Sequence, residues 1–344
     1  MKALKFSQAC ARLVPTLLLL SAFALCGWAF YVANGLDGIP ENAGIEIEAL
    51  VLPGQSAADV ASEFERLGIV KESRDFARQM AKLGIDRRIK PGVYRVRAGR
   101  AKDVALEFSS ASPEVLNVRI LPGALFDEVA LSLGNEGAAV LLAALSSDDN
   151  FPESLRGILP GETSERLSLL APETYEIPPG DGLAARLVRK ASDTWWRAHS
   201  ADMSPGLTSR DMKDLGILAS VVQKEALVDS DRPVIAGVFK NRLNNGMPLQ
   251  SCATVVYAWK LRGVKKTGVS YEDVKIDSPF NTYMHKGLPP ENIGIPSGNS
   301  WEAVLKPAST DMLFFVAKGD GSHVFTRTYE EHLAAQRKIR NAVP

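Results

Sequence analysis

The chain has 344 residues, 46% of them hydrophobic and 23% charged, which is enough for two packed domains and too apolar for a disordered polymer. Its 40 basic and 40 acidic side chains cancel, which argues against a dedicated nucleic-acid binder. Three cysteines (Cys10, Cys26, Cys252) without CxxC spacing and four histidines without metal-ligand spacing exclude a disulfide framework and the usual zinc sites, leaving carboxylates or hydroxyls to carry any chemistry.

The first element in chain order is an uncharged run over residues 13–35. At about 1.5 Å per residue it is long enough to cross a hydrocarbon core of roughly 30 Å. Lys2, Lys5 and Arg12 precede it, whereas Asp37 and Glu41 follow it. The positive-inside rule therefore predicts a cytoplasmic tail over 1–12, a single transmembrane helix over 13–35, and an extracytoplasmic remainder held at the cell (inner) membrane. A cleaved signal peptide ending at Ala22-Phe23-Ala24 is the rival, disfavoured because the apolar run continues past that site. A lipoprotein needs a small residue before Cys26, where Leu25 stands.

A polar linker over 36–48 leads into an internal repeat. Leu52-Pro53-Gly54 followed by Asp59-Val60-Ala61 recurs as Leu121-Pro122-Gly123 followed by Glu128-Val129-Ala130. Each copy has a β-prone run ahead of it (45–51 and 115–120) and a helical apolar pattern behind it. In the first copy Val60, Phe64 and Leu67 share one helix face. Residues 91–99 alternate as a half-buried strand does. The segment 135–165 reads as helix and surface loop, 171–180 as a rigid turn, and 183–198 as a helix. Two short strands, 313–317 and 323–326, flank a Gly-rich hairpin turn, and Thr328 with Glu331 opens a terminal helix as a capping box. Strands and helices mix without a βαβ rhythm, so the predicted class is α+β.

The helix expected over 215–228 carries the strongest chemical signal. Leu218, Val221 and Val222 form its apolar stripe, and Glu225 is the next position on it. Burial raises a carboxyl pKa, and a carboxyl kept protonated near neutrality is what a general acid for glycosidic cleavage needs. The plainer alternative is a glutamate turned outward at a helix end, beside Asp229. Segments 238–243, 247–259, 277–298 and the His323 hairpin are rich in hydroxyls, amides and aromatics on Pro/Gly loops. These groups suit sugar hydroxyls and N-acetyl amides, although the same residues collect in ordinary turns. Asp277 and Glu173 are the remaining candidates for a second carboxylate, and nothing in the linear sequence places them near Glu225.

LASVVQKEA around Glu225, then VFKNRL, LQSCATVVYA, SPFNTY, GLPPENIGIPSG and HVFTRTYEEH, follow in series over about 215–332, and LAPETY and the LPG repeats extend the pattern to about residue 45. On these motifs the chain resembles the endolytic murein transglycosylase, or YceG-like, family. The resemblance implies a single-pass anchor, a linker and LysM-like subdomain over 36–135, and a mixed α/β catalytic domain over 136–344. It makes Glu225 the catalytic acid and sets Gln250, Ser251, Thr254, Tyr257, Asn281, Thr282 and Tyr283 around a substrate cleft, with no metal and no cofactor. The implied reaction is endolytic, non-hydrolytic cleavage of the MurNAc–GlcNAc β-1,4 bond of peptidoglycan strands, leaving 1,6-anhydro-MurNAc ends. Penicillin-binding proteins of the wall-synthesis machinery are the candidate partners. Two departures stand out: Gln223 where the family often has Glu, and Cys252-Ala253 where it usually has Asp-Pro. A lysozyme-type muramidase and a glycan-binding scaffold with little or no turnover are the alternative readings.

Overall fold

β1 (Glu46–Val51) and β2 (Gly92–Arg97) pair antiparallel in a computed structural model that describes residues 21–28 and 38–342. The fold is α+β. Among the described residues the strands form three separate two-stranded antiparallel sheets, and the chain divides into two units, one running to Val115 and the other starting at Leu116.

In the first unit, α1 (Ala57–Arg66) and α2 (Ser73–Leu83) lie between the two strands in sequence, and α3 (Ala101–Ser110) follows them. Ser56 and Asp59 open α1 as a reciprocal capping box, and Gly84, in the left-handed region at φ 66°, ends α2. Alternation turns Tyr94 and Val96 of β2 inward and Arg95 and Arg97 outward. The helices meet them with Val60, Phe64, Phe76, Met80 and Phe108. Phe64 stacks on Phe76 at 4.8 Å and meets Phe108 edge-on at 5.3 Å, so three helices share one aromatic centre.

The second unit opens with β3 (Leu116–Arg119), whose partner is β4 (Thr174–Ile177). The rigid turn expected over 171–180 therefore contains a strand, in which Tyr175 and Ile177 are buried and alternate with exposed Thr174 and Glu176. The segment 135–165 holds the expected helix and surface loop, and it also supplies core residues. After α4 (Phe126–Leu131) the segment forms α5 (Gly137–Ser146) and the short α6 (Glu153–Arg156), and Leu141, Leu145, Phe151 and Leu155 are all core residues. Buried Arg166 ties this segment together, donating to Pro160 O at 2.9 Å and Leu145 O at 3.0 Å while pairing with Asp148 at 2.8 Å.

Three longer helices follow in sequence: α7 (Leu183–His199), α8 (Ser209–Glu225) and α9 (Arg232–Asn244). α8 begins six residues earlier than its apolar pattern indicates, because Thr208 and Asp211 cap it reciprocally. It ends at Glu225, where Ala226 turns extended. Gly216 permits close packing midway along α8, since a Cβ there would lie 2.5 Å from Ser168 Oγ. α10 (Cys252–Leu261) and α11 (Gly298–Leu305) complete the packing, and Trp301 of α11 meets Trp195 of α7 at 4.8 Å. The expected hairpin is β5 (Phe314–Ala317) with β6 (His323–Thr326). The Thr328–Glu331 capping interaction then starts α12 (Tyr329–Ala342).

Most of the apolar run 13–35 lies outside the described residues. Residues 21–28 of it are helical, with Phe23, Leu25 and Trp28 exposed. Among the described residues no helix is long and apolar enough to cross a membrane.

Candidate active site

Glu225 is the last residue of α8, and its carboxyl faces a cavity of about 320 Å³. Val221 and Val222 of the same stripe are fully buried and fix the helix rotation that aims Glu225 there. The Ser251 hydroxyl and the Ala253 N–H, the latter at 3.3 Å, both donate to Glu225 Oε1. The residue stays partly accessible through the cavity, yet enough protein surrounds the carboxyl that burial pushes its pKa above the usual value. The Ser251 and Ala253 hydrogen bonds oppose that shift, followed by the fields of His323 and Arg242.

Two loops form the support beneath the acid. Gln250 is the one described non-glycine residue with positive φ (48°), and its N–H donates to Thr282 O at 3.0 Å. Ser251 N–H then meets Thr282 Oγ1 at 3.0 Å, and Thr254 Oγ1 lies 2.8 Å from both Ser251 O and Thr282 Oγ1. Asn281 Nδ2 donates to Val274 O and Ile276 O, each at 2.8 Å, while its Oδ1 accepts from Tyr283 N–H. Ser251, Thr254, Asn281 and Thr282 are all buried, with their polar atoms occupied by protein partners. Arg242 braces the same region from α9, donating to Leu249 O and Leu313 O at 2.6 Å each.

The structure therefore gathers the residues expected at the site but divides them by position. Tyr257 lines the cavity, Tyr283 closes on Cys252 with its hydroxyl 3.1 Å from the thiol, and Gln250 leaves its side chain exposed. Neither Asp277 nor Glu173 lines the cavity, and among the described residues no second carboxylate shifts Glu225.

Several neighbours were not singled out by the sequence reading. Glu128, Lys224 and Lys260 line the cavity with Cys252, Ala253 and Val256. The signal for Lys260 was present: Ala253, Val256, Tyr257 and Lys260 follow an i, i+3, i+4, i+7 pattern on α10. No comparable signal joins Glu128 to them, since it lies 132 residues from Lys260. Asp231 is another such neighbour, and its Oδ2 holds the His323 N–H at 2.8 Å and ring Nδ1 at 2.9 Å.

Lys224 ties the second LPG loop to this wall by donating to Gly123 O at 2.7 Å. Gly123 N–H bonds Ile295 O, and Ile295 N–H bonds Ala124 O. Gly294 makes this approach feasible: at φ +149°, a Cβ would stand 2.7 Å from Gly123 O. Gln223, one turn position away from the cavity, uses its amide oxygen to accept from Ser297 N–H at 3.0 Å and Ser300 Oγ at 2.8 Å. The amide thus organises the start of α11 and takes no part in the Glu225 constellation. A larger open groove near the beginning of α8, lined by Arg210, Asp214, Lys240 and Pro290 among others, does not include Glu225.

The YceG-like family model matches residues 50–338. An endolytic murein transglycosylase of Bacillus subtilis (strain 168) is 28% identical over 332 residues, covering 91% of this chain and 91% of its own length. A relative of the same name from Streptococcus pneumoniae serotype 2 is 27% identical over 352 residues; the match covers 92% of this chain and 62% of that longer protein. The fold is also that of a yceG-like protein crystallised from Listeria monocytogenes, with a TM-score of 0.51, 23% identity, and coverage of 85% of this chain and all of the other.

Proposed function

Since the chain belongs to the YceG-like family, we propose that it is a peptidoglycan lytic transglycosylase cutting MurNAc–GlcNAc β-1,4 bonds within glycan strands. The observation carrying this reading is the carboxyl of Glu225, held at a cavity by two donors on one oxygen and pushed by burial toward its acid form. Those donors occupy Oε1, so Oε2 is the oxygen that exchanges the proton.

Glu225 gives its proton to the glycosidic oxygen as the bond to muramyl C1 breaks, and the substrate's own N-acetyl oxygen shields the developing positive charge. Glu225 is then a carboxylate, stabilised by Ser251 and Ala253. It takes the proton from the muramyl C6 hydroxyl as that oxygen closes on C1. The 1,6-anhydro ring forms, the acid is regenerated, and no water is consumed. One carboxyl acting first as acid and then as base suits a site whose other carboxylate, Glu128, is paired with Lys260 and does not shift Glu225. Ser251, Thr254, Asn281 and Thr282 act by holding the loop that carries the donors, while Tyr257 offers an aromatic face to a sugar ring.

The remaining assignments belong to the same reading. Residues 13–35 anchor the chain in the membrane with the catalytic part outside the cytoplasm, residues 36–135 include a LysM-like glycan-binding module, and penicillin-binding proteins are the partners. The βααβ order of the first unit supports the LysM-like assignment. Mass spectrometry of glycan strands after incubation with the protein tests the reaction. Anhydro-muramyl ends, lighter by one water than hydrolytic ends, are expected from the wild type and not from Glu225→Gln. Reducing muramyl ends would replace the transglycosylase with a muramidase, and intact strands would leave a binding scaffold.

A further inference from the structure

Two ammonium groups, Lys224 and Lys260, and the Glu128 carboxylate lie on the wall of the Glu225 cavity. Lys260 Nζ lies 3.4 Å from Glu128 Oε1. Lys224 spends one donor on Gly123 O, and among the described residues no carboxylate stands within ion-pair distance of it. Both lysines remain exposed, and both line the cavity with Glu128 and Glu225. When Glu225 carries its proton, these four residues leave one positive charge uncompensated. The rest of the wall, including Leu125, Val256, Tyr257 and Ile293, offers mainly apolar surface.

An uncharged sugar ring does nothing to balance that charge. The two sugars of the strand differ in one respect that does: muramic acid bears a C3 lactyl ether ending in a carboxyl, and N-acetylglucosamine has a plain hydroxyl there. That carboxyl is free on a bare strand; on a substituted strand it is an amide, and the attached peptide supplies carboxylates of its own. Resting on the transglycosylase reading above, we propose that Lys224 and Lys260 form a carboxylate-binding subsite for the acidic substituent of the muramyl unit. The subsite sets the register of the strand, because a carboxylate held beside Glu225 presents muramyl C1, and not glucosamine C1, to the acid. Lys224 is well placed for this since it precedes Glu225 on α8 and is braced at Gly123 O. A charge-assisted N–H···O bond is stronger than a neutral one, and partial exposure moderates the gain.

Binding by full-length Glu225→Gln, which lacks the acid and leaves the strands intact, tests the subsite. Calorimetry would compare three strands of equal length: an N-acetylglucosamine oligomer, a bare muramyl–glucosamine strand, and a peptide-substituted one. At least one carboxylate-bearing strand should bind about threefold to tenfold more tightly than the N-acetylglucosamine oligomer. Which strand shows the preference identifies the source of the carboxylate. Lys260→Glu, at an exposed helix position, should abolish the preference for carboxylate-bearing strands over the N-acetylglucosamine oligomer. Lys224→Gln, which keeps an N–H for Gly123 O, should reduce it in the same direction. The preference should also shrink between about 0.1 M and about 1 M salt, as the Debye length falls from about 10 Å to about 3 Å. Equal affinity for all three strands, or a preference untouched by both lysine changes, overturns the subsite with glycan binding intact. Failure to bind any strand, with no anhydro product from the wild type, overturns the glycan reading and the subsite with it.

Discussion

At the scale of single residues, Glu225 and the two donors on its Oε1 decide what the site can do. Glu225→Gln keeps the shape and loses the proton, so turnover should fall by at least about 10²-fold, the lower end for losing a general acid. Its effect on stability has a definite sign. Burial raises the native pKa above the unfolded value of about 4.3, so the native state binds the proton more tightly. Stability is then full below that value and declines as pH rises toward the native pKa. Glu225→Gln removes this decline, so its melting temperature relative to wild type should rise as pH increases above about 4.3. A pH series of melting curves checks it, and a wild type that gains on the variant with rising pH would contradict the buried acid. Ala253 supplies an N–H where the family's usual proline has none. Ala253→Pro should therefore raise the Glu225 pKa further and move the alkaline limb of the kcat–pH profile upward. The helix should tolerate it, because position 253 lies in the first turn of α10, where proline fits.

At the scale of elements, α8 points adjacent residues into different tasks. Glu225 and Lys224 reach the cavity, while Gln223 turns to Ser297 and Ser300 at the start of α11. Gln223→Ala strips both donors of their acceptor in a partly buried place. The expected cost is about 1–3 kcal/mol, read by denaturant unfolding. Gln223→Glu retains an acceptor oxygen and should cost less, but it should not rescue Glu225→Gln, since the two side chains face different neighbours. The amide at 223, a departure from the family pattern, is thus compatible with catalysis. It does the structural work that an oxygen of either side chain can do.

At the scale of the whole molecule, each unit has a core of its own: an aromatic one around Phe64, Phe76 and Phe108, and a larger one that includes Trp195 and Trp301. Every group discussed at the site belongs to the second unit. A fragment of residues 116–344 should therefore unfold in one cooperative transition and keep the ability to form anhydro ends on soluble strands. Calorimetry and product analysis of that fragment check both expectations. Loss of the transition would mean that the second core depends on the first unit.

Local pattern was sufficient wherever one face of an element is apolar or its end is chemically marked. The alternation in β2, the hairpin of β5 and β6, the Thr328 cap and the placement of Glu225 on the α8 stripe were all legible in that way. Series of motifs carried the family and the candidate acid. Tertiary structure alone decided the rest. Residues 174–177 are a strand because 116–119 lie alongside, and Leu141, Leu145 and Phe151 within 135–165 are core because they find a hydrophobic surface to cover. It also decided that Ser251, Thr254, Asn281 and Thr282 underlie the site while Lys224, Lys260 and Glu128 face its cavity. The physical reason is common to these cases. Periodicity records which side of an element is apolar, but a polar side chain's role depends on what stands opposite it, and for Glu128 and Lys260 that partner is 132 residues away.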